Sequence, residues 1–162
     1  MYLNNQLGVS LIESMIALLV ISIGLLGIAA LQITAVKQNS SAMHHSQSVW
    51  ISYDIADRIR ANFGQFAAYA TIDTNNTYAQ DCVTSACTGW ELRNSDAQNW
   101  ATLVQNLPSG RGTITSQVAT APAVNELLIT VMWDDEGTGA TGTGCGTNPA
   151  IDLTCFTATM IQ

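Results

Sequence analysis

The sequence predicts an α+β fold in which a long N-terminal helix packs on a small antiparallel sheet. Residues 14–36 contain no charged side chain, and apolar residues at helical spacing continue as far as Phe63. Three short segments rich in β-branched or apolar residues then occupy the last third of the chain. A long helix followed by a run of strands is typical of the α+β class.

The uncharged stretch is long enough to cross a membrane. As a helix, its 23 residues extend about 35 Å at 1.5 Å per residue, and a bilayer core is about 30 Å thick. Apolar residues occur all round this helix, so no face suits water. A secretory signal peptide fits less well, because residues 1–8 contain no Lys or Arg and the small residues around 35–42 form a poor cleavage pattern.

Beyond this stretch, the helix is predicted to bury one face against the rest of the protein. Apolar residues three and four apart form a stripe, and these are Ala42, Met43, Val49, Trp50, Tyr53, Ala56, Ile59 and Phe63. This spacing predicts an amphipathic helix. Gly64 is a suitable stop, so the first helix is expected to run from about residue 10 to residue 63.

A second helix is predicted after an irregular connection over residues 64–94. Ser95 and Gln98 have the spacing of a capping box, in which a helix begins at the serine. An apolar stripe follows as far as Leu107, and Pro108 and Gly110 end it.

Three strands and one loop are predicted in the remainder. The strands are Gly112–Val118, Leu127–Trp133 and Thr154–Ile161. Pro122 and Asn125 supply turn residues between the first two strands. The Gly- and Thr-rich residues 136–148 are expected to form a loop.

The cysteines indicate an oxidising compartment. Cys82, Cys87, Cys145 and Cys155 all follow the apolar stretch, and an even count in a short exported head predicts disulfides. Zinc is disfavoured, because the spacing is unusual and no His is near. Sequence proximity favours Cys82–Cys87 and Cys145–Cys155 among the three possible pairings. Lys37 alone would place the C-terminal part inside the cell, but one lysine is a weaker signal than four cysteines.

Composition argues against nucleic-acid binding. The formal net charge is −7, and only five Lys and Arg residues are present. Binding to phosphates normally requires a basic face that displaces counterions. Direct binding of DNA by a single subunit is therefore not expected.

Catalysis and metal binding are poorly supported. His44 and His45 are adjacent on the predicted helix, and side chains one residue apart do not face each other. Residues 137–142 match G-x-G-x-x-G by letter only, because no βαβ unit surrounds them. Four acids could hold Ca²⁺ through oxygen ligands, although solvated loop acids are the favoured interpretation. These are Asp134, Asp135, Glu136 and Asp152. No metal, cofactor or catalytic residue is predicted.

The most informative acid is Glu13, at the edge of the uncharged stretch. A central acidic residue in a membrane helix costs about 2.5–3.5 kcal/mol on insertion scales, and less near the interface. An interfacial Glu favoured by the helix dipole is the simpler interpretation. However, residues 8–13 read Gly-Val-Ser-Leu-Ile-Glu before an apolar run, and this resembles the cleavage and methylation motif of type IV prepilins.

That resemblance implies a processing pathway and an assembly role. Prepilin peptidase would cut after Gly8, and the new N-terminal amine of Val9 would be methylated. Glu13 would then lie at the fifth mature position and attract the N-terminal amine of a neighbouring subunit. A buried carboxylate is far less costly beside an ammonium group. The implied regions are a leader over 1–8, a membrane or filament-core helix over 9–36 and a periplasmic head over 37–162.

Later segments are similar to the PilV family of minor pilins. The similar stretches are Leu18–Gln32, Asp54–Asn62, the segment from Asp96 to Gly110 and Leu128–Asp134. The resemblance implies a minor pilin that acts in filament initiation at or near the tip. Its partners would be other minor pilins, the major pilin, the inner-membrane assembly platform and prepilin peptidase. The subunit would sit in the bacterial inner membrane before assembly and in the pilus afterwards.

Three other functions are less favoured. A pseudopilin of a type II secretion system shares the same anchor logic. A membrane-anchored binding module, for DNA or a host surface, belongs to a different class and would need an exposed basic or aromatic patch. An anchored enzyme is third, because the sequence offers no credible catalytic constellation.

Overall fold

The computed structural model describes residues 10–118, 125–148 and 150–161. The chain divides into two units, Met1–Ser40 and Ser41–Gln162. The elements are helix α1 (Leu11–Ala61), a 3₁₀ helix (Phe63–Thr71), helix α2 (Gly89–Val104) and strands β1 (Arg111–Val118), β2 (Asn125–Trp133) and β3 (Thr154–Ile161). The predicted α+β class is confirmed.

The first unit contributes the start of α1. Within the described residues of this unit, every large apolar side chain from Leu11 to Val36 is exposed. The most apolar window of 18 residues in α1 has a mean hydropathy of 2.6, and none of it is buried. By length and composition, this helix is sufficient to span a bilayer.

In the second unit, the buried face of α1 matches the predicted one only in part. The buried residues are Ser48, Ile51, Ser52, Ile55, Ala56 and Ile59. Met43, Trp50, Tyr53 and Phe63, which were expected to pack inward, are each at least half exposed, and Ala42 is exposed as well. The prediction is confirmed for Ala56 and Ile59. It was wrong for the five exposed residues because both faces carry apolar residues, and periodicity alone cannot say which face meets the core. The helix ends at Ala61, two residues before the predicted end.

Small hydroxyl side chains allow the buried face to lie close to the core. The Ser52 hydroxyl donates to the Ser48 carbonyl at 2.8 Å, and the Ser48 hydroxyl donates to the His45 carbonyl at 2.7 Å. Both hydroxyls are therefore satisfied inside the helix, and burying them costs little.

Helix α2 begins earlier than predicted. Thr88 caps its N-terminus, accepting a hydrogen bond from the Glu91 N–H while the Glu91 carboxylate accepts from the Thr88 N–H. This reciprocal pair is a capping box. Ser95 lies inside the helix and is buried, so the predicted start at Ser95 was wrong. The connection expected to be irregular also contains the 3₁₀ helix Phe63–Thr71.

The three strands form one antiparallel sheet in the order β1-β2-β3. Strand β3 has the predicted bounds, β1 begins one residue earlier and β2 begins two residues earlier. Asn125, predicted to lie in a turn, is the first residue of β2. The predicted turn residue Pro122 lies outside the described residues. The predicted loop over residues 136–148 contains no helix or strand.

The core lies between the sheet and the helices. Its largest fully buried side chains include Trp100 of α2, Trp133 of β2 and Tyr69 of the 3₁₀ helix. Gly112 of β1 faces the Trp100 ring so closely that an added Cβ would collide with it. The Trp100 Nε1–H donates to the Ile51 carbonyl of α1 at 3.2 Å, which joins the two helices.

Candidate functional site

The predicted cleavage and methylation positions, Gly8 and Val9, lie outside the described residues. Glu13 lies in the first turn of α1, where it is the acidic residue. Its N–H donates to the Ser10 carbonyl at 3.0 Å, so this turn is already helical. A carboxylate at a helix N-terminus is stabilised by the helix dipole. The role of Glu13 in assembly stays a prediction.

A second feature of interest is the exposed apolar face of α1 within the head. Met43, Trp50 and Tyr53 are 56%, 59% and 57% exposed. They lie seven and three residues apart, which places them along one side of a helix. Large aromatic side chains are enriched at protein interfaces because they bury much area at low conformational cost. This face is suited to packing against another subunit.

Both predicted disulfides are present in the structure. Cys82 pairs with Cys87, five residues away, and Cys145 pairs with Cys155, ten residues away. The first closes a loop before α2, and the second ties the loop after β2 to the start of β3. Because both loops are short, each bridge removes little chain entropy and acts mainly on loop shape.

The loop after β2 is held to α1 through the carboxylate of Asp135. It accepts from the Ser41 hydroxyl at 2.6 Å and from Trp133 Nε1–H at 3.0 Å. His44 Nδ1 is 3.5 Å away, close enough for an ion pair when the imidazole is protonated, although without hydrogen-bond geometry. Burial alone raises the pKa of Asp135, but these donors outweigh it and hold the pKa below its usual value. Sequence patterns gave no sign of this attachment, because its members are 94 residues apart.

The neighbouring acids also serve the loop itself. Asp134 is buried and accepts from the N–H groups of Thr138 and Gly139, at 3.1 Å and 2.7 Å. Asp152 accepts from the N–H groups of Gly144 and Asn148, at 3.2 Å and 2.8 Å. Among the described residues, no three His, Cys, Asp or Glu side chains are arranged to hold a metal ion. These acids therefore shape the loop that the sequence presented as a possible calcium site.

The two histidines have separate surroundings. His44 faces Asp135, whereas the His45 ring contacts the rings of Trp133 and Phe156 edge-on, at centroid distances of 6.3 Å and 5.7 Å. The expectation that adjacent histidines do not face each other fits this arrangement. His44 therefore connects α1 to the loop after β2, and His45 connects α1 to the sheet.

A polar network inside the head was missed by the sequence analysis. The Tyr69 hydroxyl donates to the buried carboxylate of Asp96 at 2.6 Å and accepts from Asn62 Nδ2 at 3.1 Å. Arg58 contributes a longer contact of 3.4 Å to Asp96. The pKa of Tyr69 is raised, mainly by burial and secondly by the hydrogen bond to Asp96. The network joins α1, the 3₁₀ helix and α2, and its distant members gave no local signal.

Arg93 forms a second cluster that the sequence did not reveal. Its guanidinium lies 5.2 Å from the centroid of the Tyr78 ring and 5.3 Å from that of Trp90. It also donates to the Ala68 carbonyl and to the Thr71 hydroxyl. Stacking on aromatic faces suits a buried guanidinium because the group is weakly hydrated.

An apolar stretch long enough to span a membrane, followed by a disulfide-bonded α+β head, is consistent with a membrane-anchored subunit. Two family models match this chain. The prokaryotic N-terminal methylation motif matches residues 3–29, and the type IV pilin Tt1218 model matches residues 30–98. No curated protein and no solved structure matches significantly.

The two matches support a subunit of the type IV pilin superfamily. The first contains Gly8, Val9 and Glu13, and the second covers the rest of α1, the 3₁₀ helix and part of α2. The sheet over residues 111–161 lies beyond both matches. Type IV pilins are structural subunits and not enzymes. The matches also imply processing by prepilin peptidase and assembly with other pilins.

Proposed function

We propose that this chain is a minor pilin of the PilV type that initiates assembly of a type IV pilus at or near its tip. The single observation that carries this proposal is the methylation-motif match over residues 3–29, which includes the start of a helix whose large apolar side chains are exposed. In this proposal the leader is residues 1–8, the anchor is residues 9–36 and the periplasmic head is residues 37–162.

Assembly in this proposal uses two surfaces of α1. The apolar residues 11–36 leave the lipid and pack among the equivalent helices of other subunits. The face formed by Met43, Trp50 and Tyr53 packs against neighbouring subunits beyond the membrane, because it is exposed on the head. The head distinguishes this subunit from other pilins that share the same kind of N-terminal helix.

Glu13 supplies a drive for assembly that packing alone does not provide. After cleavage, Val9 carries an ammonium group four residues before Glu13 in the sequence. The two could pair within one subunit, but that pairing exists before assembly and favours neither state. A pair between subunits forms only as a helix enters the bundle, where the local dielectric falls and the attraction strengthens.

The test replaces Glu13 by Gln, with Glu126→Gln of strand β2 as a control for the same substitution elsewhere. Glu13→Gln should still insert and be cleaved, which intact mass confirms as a mature chain beginning at Val9. Its amount in sheared filaments, normalised to the membrane level, should fall at least about tenfold, the factor given by 1.4 kcal/mol. Glu126→Gln should assemble like the wild type.

Two results would overturn the proposal. If Glu13→Gln enters filaments as well as the wild type does, the charge pair does not drive assembly. If the wild-type protein copurifies with type II secretion subunits and is missing from pili, the chain is a secretion pseudopilin.

A further inference from the structure

The two edges of the sheet differ in how far other parts of the chain cover them. The outer edge of β1 is partly covered by residues 72–74, because Thr74 N–H donates to the Gly112 carbonyl and Ile114 N–H donates to the Ile72 carbonyl, both at 2.9 Å. Within the described parts of the chain, no backbone hydrogen bond reaches the outer edge of β3.

The strand register shows which groups on β3 face outward. Residues of an antiparallel strand direct their N–H and C=O groups alternately to either side. Gly112 and Ile114 point away from β2, so their partners Val131 and Ile129 on β2 point toward β3. The pairing of β2 with β3 then shows that every second residue of β3 directs its N–H and C=O groups away from β2. These residues are Cys155, Thr157, Thr159 and Ile161.

Strand β3 lacks the features that normally protect an open edge. Soluble proteins place charges, proline or bulges on such strands to prevent pairing with other chains. Strand β3 reads Thr-Cys-Phe-Thr-Ala-Thr-Met-Ile, with no charge, proline or glycine. Its register with β2 is unbroken over all eight residues. This edge is therefore a ready template for a further strand.

An acidic cleft lies at the end of the sheet where β3 begins. The cleft has a volume of about 170 Å³, and Thr154, the first residue of β3, lines it. Four acids line it as well, and these are Asp134, Asp135, Glu136 and Asp152. The four arginines of the head, Arg58, Arg60, Arg93 and Arg111, are already paired with acids or stacked on aromatic rings. Charge complementarity therefore favours a cation brought by a partner.

We propose that the outer edge of β3 accepts an extended strand from another protein, added antiparallel, with a Lys or Arg at the end beside Thr154. Backbone hydrogen bonds to Thr157 and Thr159 provide the affinity. The cation in the acidic cleft fixes direction and register. This interface goes beyond the assembly surfaces on α1 and does not depend on them.

The test uses the full chain in detergent micelles and a synthetic probe. The probe is an N-terminally labelled peptide of alternating Thr and Val that matches the eight residues of β3 and ends in Lys. A second peptide ends in Glu instead. Fluorescence anisotropy measures binding, and hydrogen exchange reports protection of the Thr157 and Thr159 amides.

Thr157→Pro is the decisive variant. It removes an outward N–H and leaves the ladder to β2 intact, since proline is tolerated on edge strands where the N–H faces solvent. Thr157→Val keeps the N–H and the preference for strand structure. Thr157→Pro should weaken binding of the Lys peptide by about two- to tenfold, whereas Thr157→Val should not. Thermal melting confirms that both variants fold.

A substitution in the cleft tests the contribution of charge to peptide binding without changing the backbone of β3. The Lys peptide should bind up to about fivefold more tightly than the Glu peptide, as expected for a partly exposed ion pair. Glu136→Gln should reduce this difference, because Glu136 is exposed and lines the cleft. Should Thr157→Pro fail to fold, protection of the Thr157 and Thr159 amides together with the Glu136→Gln result decides the question.

The proposal is overturned if the Lys peptide does not bind at millimolar concentration, or if Thr157→Pro binds it as well as Thr157→Val. It is also overturned if the peptide protects neither Thr157 nor Thr159. Sedimentation that shows pairing of two copies through β3, blocked by Thr157→Pro, would assign the edge to a second copy instead.

Discussion

Helix α1 contains the same kinds of side chain in two different settings. From Leu11 to Val36, every large apolar side chain is at least 54% exposed. Within the head, Ile51, Ile55 and Ile59 of the same helix are at most 3% exposed. Apolar composition therefore does not decide what becomes a core. A core forms where the sheet and α2 supply partner atoms on the other side.

This difference assigns separate tasks to the two stretches. The head stabilises itself, because its isoleucines already lie in a packed environment. The stretch before it gains nothing from folding alone and must be covered by lipid or by other helices, since exposed apolar surface costs about 25 cal/mol per Å² in water. Substitutions of one residue type in both places test this division.

The largest expected effect comes from truncating a buried isoleucine. Ile55→Ala should lower the free energy of unfolding of the head by about 2–5 kcal/mol, through lost burial and the cavity left behind. Ile21→Ala makes the same change where the side chain is 57% exposed, and its effect should be within about 0.5 kcal/mol. Urea titration of the full chain in detergent, followed by tryptophan fluorescence, measures both.

Equal effects of these two variants would contradict the division, because they would mean that residues before Ser41 share in the core of the head. Membrane levels of both proteins serve as the control for expression and insertion. A loss of membrane retention for Ile21→Ala with unchanged head stability would sharpen the comparison.

A smaller effect is expected from the polar network. Tyr69→Phe removes the hydroxyl that donates to buried Asp96 at 2.6 Å. The carboxylate then loses its shortest donor, and the expected cost is about 1–3 kcal/mol. Tyr53→Phe is the matched control, because Tyr53 lies on the exposed face of α1 and its change should be within about 0.5 kcal/mol. The same urea titration distinguishes them, and equal stability of Tyr69→Phe and the wild type would show that the network contributes little.

The sequence was sufficient for features that depend on local pattern. The approximate extent of α1 and the bounds of β3 followed from an uncharged run and from an apolar segment bounded by a Gly-rich loop. The start of α2 was mistaken even though Thr88 and Glu91 have capping-box spacing, because Ser95 and Gln98 offered a competing match. Trp50 and Tyr53 were assigned to the core because they fall in an apolar stripe at helical spacing, and this spacing does not show which face of the helix is covered.

Features that depend on residues far apart could not be predicted. Asp135 meets Ser41 across 94 positions, and Asp96 meets Tyr69 across 27. No periodicity records such pairs, because each residue alone looks like an ordinary surface polar group. The open edge of β3 likewise follows only from the strand order, which places β2 in the centre.

The smallest expected effect is the response of the head to acid. Burial raises the pKa of Asp134, but the N–H groups of Gly139 and Thr138 outweigh it and hold the pKa below its usual value. Burial also raises the pKa of Asp73, but hydrogen bonds from Arg111 and the Asn75 N–H outweigh it and hold the pKa below its usual value. A carboxylate whose folded pKa is depressed stabilises the head above its unfolded pKa of about 3.9. That stability is lost as the pH falls below about 4 and through the folded pKa.

Asp134→Asn tests this dependence, because the amide keeps one acceptor oxygen but carries no charge. The variant should be less stable than the wild type at pH 7, and the difference should shrink as the pH falls below about 4, where the wild-type carboxylate becomes protonated. Glu136→Gln removes a negative charge from the same loop at an exposed position, so at pH 7 it should change stability by less than about 0.5 kcal/mol. Urea titrations at pH 7, 4 and 3 measure all three proteins. A difference between Asp134→Asn and the wild type that stays constant over this range would show that the hydrogen bonds of Asp134, rather than its charge, stabilise the loop after β2.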